Sequence, residues 1–353
     1  MQRLTEVLIT IHRNRGPNRG RMQTTGVSVE ILDLRHFAAP VLRPLLEAEG
    51  ELWEQRLHWD YHSSARLLMQ YLDNHMLPGY AALTSGHVTG YVFCVYEETK
   101  AVIGDVFALP VAPEGAGDGS GAAHSTGETL LRHLFELLLN SPHVERIESQ
   151  LLLHPSGTYA GIFRDAGFRI FRRLFLVQAL QGRWSPPQAD LPGNLELRLW
   201  READLAPAAR LICDAYRDHP DSLINDQYRS VHGSMRFLNN IVHYAGCGSF
   251  SPQASYVVVE RASRELAALV LGSRVSGQSG HLTQVCVHPA FRRRGLARLL
   301  LAQAAFSFMR LGAAEISLTV TEANSEAIDL YKDEGYQCVH TFDAAVWLRE
   351  AIA

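Results

Sequence analysis

Residues 281–297 read HLTQVCVHPAFRRRGLA: an apolar strand, a proline turn, three arginines and small residues leading into a long helix. A strand that runs through Gly295 and Ala297 into a helix N-terminus aims several free backbone N–H groups at one point. The positive end of the helix dipole lies there too, and the combination suits a polyphosphate. A run of three arginines is commonly just a solvated surface. Here its place between Pro289 and Gly295 turns the charge toward the same anion.

The next segment carries a second constellation. A strand at 316–320 is followed by Asn324-Ser-Glu-Ala327-Ile-Asp-Leu330-Tyr331-Lys-Asp-Glu-Gly335-Tyr336. Asn324 suits a helix N-cap, and Ala327 and Tyr331 fall on its face at spacings of three and seven. Gly335 suits the residue that ends the helix. Taken together, Val285-x-Val287-x-Pro289, Arg292-x-x-Gly295-x-Ala297 and N-x-x-A-x-x-L-Y-x-x-x-G resemble the coenzyme A loop and the second signature of the GNAT N-acetyltransferase superfamily. Tyr336 stands where that signature closes on an aromatic residue.

Composition sets the bounds. The chain has 353 residues, enough for two domains of ordinary size, each with its own core. Its 47% apolar and 20% charged residues are those of a globular protein without a membrane span. A net charge of −4 argues against a general nucleic-acid binder. Five scattered cysteines, with no C-x-x-C pair, point to reduced thiols in a cytoplasmic protein, and the sixteen histidines form no metal-binding spacing. No metal is expected. Residues 1–25 are arginine-rich and lack a convincing signal core, so they read as a flexible tail, with Met22 an alternative start.

Along the chain, alternating strands are expected near 27–31, 79–83, 88–96 and 101–109, with helical pattern over 53–71 and 128–139. Residues 113–127 (PEGAGDGSGAAHSTG) read as a flexible glycine-rich insertion. Further strands at 146–153 and 168–180 complete a first half, and the Pro- and Gly-rich 181–194 reads as a linker. The second half repeats the first: Phe37 falls on Leu205, Gly167 on Gly335 and Phe168 on Tyr336 at one constant offset. The expected architecture is an α/β fold with mixed sheets (α+β, GNAT-like), two tandem acyl-CoA N-acyltransferase-type domains at 26–180 and 195–353. The first is degenerate: it lacks Arg-x-x-Gly, and the repeat offset sets Ser156 opposite Asn324 and Phe163, which cannot donate a proton, opposite Tyr331.

The resemblance implies an enzyme that transfers an acetyl group from acetyl-CoA to an amine by direct attack. Main-chain groups at Val285, Cys286 and Val287 would pair with the pantetheine arm and polarise the carbonyl. Amides from Arg293 through Arg294, Gly295, Leu296, Ala297 and Arg298 would hold the pyrophosphate, with Arg292 and its neighbours adding charge and Asn324 and Ala327 lining the site. Tyr331 would be the general acid, since a phenol of pKa about 10 keeps its proton at neutral pH. Alternation puts His281 on the side of Thr283, Val285 and Val287, as a candidate base or a solvated strand-start histidine. Glu322 is a second candidate base, or a support for the helix N-terminus.

The acceptor would meet residues 216–244, where Asp218, Asp221 and Asp226 attract a cation or simply solvate a loop. A small-molecule amine, a peptide or protein amine, a non-catalytic acyl-CoA-binding regulator and a scaffold with an idle pocket are the competing readings. Retention of Tyr331 favours the enzyme.

Overall fold

The computed structural model describes residues 29–110, 120–180, 191–244 and 248–349. The 1–25 tail, most of the 181–194 linker and the start of the glycine-rich segment lie outside them. The first half runs β1 (Val29–Asp33), α1 (Ala39–Leu57), α2 (His62–Asp73), β2 (Gly79–Thr84), β3 (His87–Glu97), β4 (Lys100–Ala108), α3 (Ser120–Leu139), β5 (Arg146–Gln150), α4 (Ala160–Asp165) and β6 (Arg169–Ala179). The second half opens with β7 (Leu195–Leu199), α5 (Leu205–Ala215), α6 (Asp221–Ile224), α7 (Val231–His243) and the short β8 (Ser249–Phe250). It continues with β9 (Tyr256–Glu260), β10 (Leu266–Arg274), β11 (Ser279–Val287), α8 (Leu296–Arg310), β12 (Glu315–Thr321), α9 (Ser325–Asp333) and β13 (Gln337–Leu348).

Two local readings change. The helical pattern expected over 53–71 is two helices, because His58 turns left-handed (φ 54°) at the end of α1. Pro40 is accommodated at the N-terminal edge of α1, where a missing N–H costs nothing, and Pro44 lies inside the same helix. Residues 120–127, expected as flexible insertion, are the first two turns of α3.

Each half folds the same way. Two helices cover one sheet face, α1–α2 over Leu42, Tyr91 and Phe107, and α5 with α7 over Val257, Leu269 and Cys286. One long helix covers the other face: Leu130, Leu134 and Leu138 of α3, and Leu300, Ala304 and Phe308 of α8, occupy the two remaining cores. Gly280 lets α8 lie close, since a Cβ there would stand 2.6 Å from the Phe308 ring.

The two halves form one sheet, ordered β1-β2-β3-β4-β5-β13-β6-β12-β11-β10-β9-β7. Pairing is antiparallel except between β4 and β5 and between β11 and β12. The halves exchange their last strands: β13 pairs with β5 and β6, and β6 in turn with β12. Phe175, Phe342, Leu57 and Leu153 bury the seam.

Loops repeat the exchange. The α1–α2 corner of the first half docks on the second through His58 to Glu315 (2.8 Å) and Asp60 N–H to Val275 O (2.7 Å). The loop after α6 docks on the first through Lys100, whose ammonium meets Asp226 (2.7 Å), Glu97 (3.2 Å) and Glu148 (3.3 Å). Arg146 adds a bond to Leu223 O at 2.7 Å. No helix among the described residues is long and apolar enough to cross a membrane.

Candidate active site

Strands β11 and β12 pair for only four residues, Ser279–Leu282 against Glu315–Leu318. Beyond Leu282 and Leu318 they part, although each continues, β11 to Val287 and β12 to Thr321. The cause is a β-bulge. Leu271 of β10 faces Gln284 and Gly272 faces Leu282, so Thr283 is left over and β11 bends away. Past the bulge His288 N–H donates to Ala267 O of β10 (2.9 Å). Main-chain groups of a strand alternate in direction, so the N–H groups of Val287 and Val285 face the opening.

The bulge also corrects the side assignment of His281. Leu282, Val285 and Val287 share the α8 core, whereas Cys286 packs under α5 and α7. His281 faces the opposite side from Val285 and Val287, against Trp59 (ring centroids 4.9 Å) and Phe175 (6.1 Å), with Nδ1 at 2.9 Å from Ser317 Oγ. It is buried rather than solvated. Desolvation, helped by the Arg173 charge, pushes its pKa down to about 3. A base needs a pKa nearer the working pH, and this imidazole lies in the paired part of the strand, so His281 is poorly suited to that role. Glu322 is no better placed. Its side chain is exposed and 3.5 Å from Arg172.

At the far end of the opening the β11–α8 turn presents its amides. Arg293 (φ 62°) and Gly295 (φ 77°) are both left-handed, and Leu299 N–H to Gly295 O (3.0 Å) is the first bond of the helix. The amides of Leu296, Ala297 and Arg298 thus have no intrahelical acceptor. Space in front of Gly295 is open: no atom lies within 4 Å of where its Cβ would be. Three of the arginines are engaged. Arg292 bonds Ala215 O (2.9 Å), Arg294 bonds Ala290 O (3.1 Å) and covers the Phe291 ring, and Arg298 pairs with Asp333 (3.1 Å) and Glu334 (3.2 Å). Among the described residues Arg293 is the cation of this turn without a side-chain partner.

Asn324 caps α9 through Ala327 N–H (3.3 Å). Its amide also meets His219 Nε2 at 3.1 Å. Tyr331, half-buried on α9, packs against the α8 core beside Val285 and Val287. Burial, with Asp221 and Cys286 nearby, pushes its phenol above the usual value, and Arg173 opposes the shift. The phenol is a proton donor throughout the neutral range.

The structure sorts the three aspartates of the acceptor segment. Asp218 is exposed in a left-handed turn, and Asp226 is engaged by Lys100. Asp221 alone turns into the opening, where Thr321 Oγ1 donates to it at 2.5 Å. Its own N–H donates to His219 Nδ1 (3.1 Å), so that nitrogen is an acceptor already in use. Sequence reasoning passed over Thr321, Gln284 and Arg173. Arg173 comes from the first half, and only the exchange of strands brings it opposite Thr321.

The first half has the same scaffold without the opening. Its β4 also bulges, at Gly104, and pairs with β5 for four residues. Here His154 fills the gap, its Nε2 2.7 Å from Val106 O, and Tyr159 packs on it (4.9 Å). Tyr159 also lies so close to α3 that a Cβ on Gly127 would stand 2.1 Å from its hydroxyl. Because α3 starts at Ser120, the amides around Gly127 are spent on helical bonds.

Residues 209–336 match the profile of the Acetyltransferase (GNAT) family. No curated protein is significantly similar in sequence. Among solved structures the chain is similar to a GCN5-related N-acetyltransferase from Sphaerobacter thermophilus, at 16% identity and a TM-score of 0.57, covering 92% of this chain and 97% of that one. It is also similar to a tandem GNAT protein from the clavulanic acid biosynthesis pathway, at 14% identity, a TM-score of 0.54 and coverage of 92% and 100%. A third likeness is to a GCN5-related glucosamine N-acetyltransferase region of a fungal multi-domain β-N-acetylglucosaminidase (15%, TM-score 0.58, coverage of 92% and 38%). At these identities the likeness is one of fold.

Proposed function

From the match of residues 209–336 to the Acetyltransferase (GNAT) family and the likeness of the fold to a tandem GNAT protein, we propose that the second half transfers the acetyl group of acetyl-CoA to an amine, and that the first half binds no cofactor. One observation carries this: β11 and β12 part opposite the free N-terminus of α8, with Tyr331 beside the opening. The residues present suit the cofactor. The α8 amides and Arg293 fit a pyrophosphate, the N–H groups of Val285 and Val287 fit an extended amide arm, and Gly295 leaves room for close approach.

Bound acetyl-CoA supplies an activated acetyl group. The N–H groups facing the opening orient its carbonyl and favour negative charge on the oxygen. Tyr331 Oη gives a proton to the departing sulfur as the C–S bond breaks and the C–N bond forms. Asp221 attracts the ammonium form of the acceptor to the mouth of the opening; the amine gives one proton to water and attacks as the neutral form, and the proton its nitrogen sheds on forming the amide restores the Tyr331 phenol. The free thiols of Cys94, Cys213, Cys286 and Cys338 support a reducing, cytoplasmic setting. Acetyl-CoA calorimetry together with thiol release from an amine panel tests the reading. Binding with turnover is expected; no binding would overturn it, and binding without turnover would favour a sensor.

A further inference from the structure

Arg173 of β6 enters the second half's site from the first half, and its charge has no counterpart. Its Nη1 donates to Gln150 Oε1 and its Nη2 to Thr319 Oγ1, both at 3.1 Å and both neutral partners. Its Nε is buried with no acceptor. Among the described residues no carboxylate lies within 4.0 Å of it. Arg173 is half-buried, so solvent offsets part of the cost of its unpaired charge, and an anion arriving at the guanidinium would supply the acceptor its Nε lacks.

A second donor is orphaned nearby. Gln284, the residue after the bulge, is buried, and its Nε2 has no acceptor, while its Oε1 receives Tyr228 Oη (3.4 Å). Gln284 stands past Leu282, where β11 leaves β12. Arg173 is paired across from Thr321, whose hydroxyl holds Asp221 on its other side. The Arg173 guanidinium reaches Thr319, two residues along β12 from the threonine that holds Asp221, and does not pair with that carboxylate. The phenols of Tyr331 and Tyr228 both feel the Asp221 and Arg173 charges.

We infer that the acceptor carries an anionic group, carboxylate or phosphate, close to its amine, and that Arg173 binds that group while Asp221 takes the ammonium. This rests on the acetyl-transfer reading. Arg173 also covers the Phe342 ring at 5.9 Å, a packing role that any long cation or thioether would fill.

The test uses the full chain and matched acceptors: ethanolamine, glycine and O-phosphoethanolamine, with a set of short peptides bearing free or amidated C-termini. The readouts are thiol release and thermal stabilisation in the presence of coenzyme A. The anionic members should be favoured over their neutral partners by about 10- to 100-fold in kcat/KM, the worth of a hydrogen-bonded charge. Arg173→Met should collapse that ratio, and Arg173→Lys should keep part of it. Carboxylate and phosphate arms tell the two sources apart. Equal rates, preference for the neutral members, or a ratio that survives Arg173→Met overturns the inference while leaving acetyl transfer standing. So does coenzyme A binding with no anionic amine either acetylated or stabilising the protein. Calorimetry on the same proteins reports acetyl-CoA affinity separately; its absence in the wild type would sink the acetyl-transfer reading and this inference with it.

Discussion

Tyr331 and His281 show how burial gives two aromatic side chains opposite roles. The phenol is held above its usual pKa by burial and by Asp221, so it stays protonated across the neutral range, as the proposed acid must. Tyr331→Phe keeps the ring and deletes the proton; kcat should fall about 10²- to 10⁴-fold with calorimetric affinity for acetyl-CoA nearly intact. Full turnover in that variant would move the acid elsewhere. His281 loses its proton to burial, with a pKa near 3 against 6.5 in the open chain. Between those values the unfolded chain binds a proton that the folded one refuses, so stability rises with pH there and falls as the pH drops. His154, pushed down to about 4, acts in the same direction. Denaturant titrations between pH 4.5 and 7 should therefore show a shallower acid loss in His281→Gln than in the wild type. Parallel curves would mean an imidazole that titrates normally, and would restore His281 as a base.

At the scale of elements, the β11–α8 turn and its bulge make the site. The bulge opens the sheet, and the turn stops the helix early enough to leave amides free. Gly295 has a left-handed φ that an L residue takes only with strain, and the open space before it is where phosphate oxygens would come. Gly295→Trp should cost acetyl-CoA at least about tenfold in affinity while the protein stays folded, because the ring stands in front of the amides. Unchanged calorimetric affinity would remove the cofactor from this turn. The turn was legible in the sequence because glycine, proline and arginine mark local backbone needs. The bulge was not, since Thr283 is an ordinary strand residue and its displacement arises from pairing with β10. Strict alternation consequently put His281 on the wrong side.

Over the whole molecule, the repeat is symmetrical in scaffold and asymmetrical in chemistry. His154 and Tyr159 stopper the first half, and α3 begins well before the position that would leave amides free. Titration of the full chain with acetyl-CoA should give one site, and a stoichiometry near two would refute a closed first half. The first half still matters to the second, because Lys100 and Arg146 hold the loop that follows Asp221 and β6 delivers Arg173. By itself the sequence determined the tandem α/β plan, the glycine turn that leads into α8 and the capped helix that carries Tyr331. Each of these is written within a few tens of consecutive residues, where capping, turn geometry and periodicity act. Only the tertiary structure decided that the halves exchange their last strands, that Asp221 and not Asp218 or Asp226 faces the opening, and that Arg173 joins the site. Those outcomes depend on which strand edges meet and which charges are buried together, and residues distant in the chain settle them by packing.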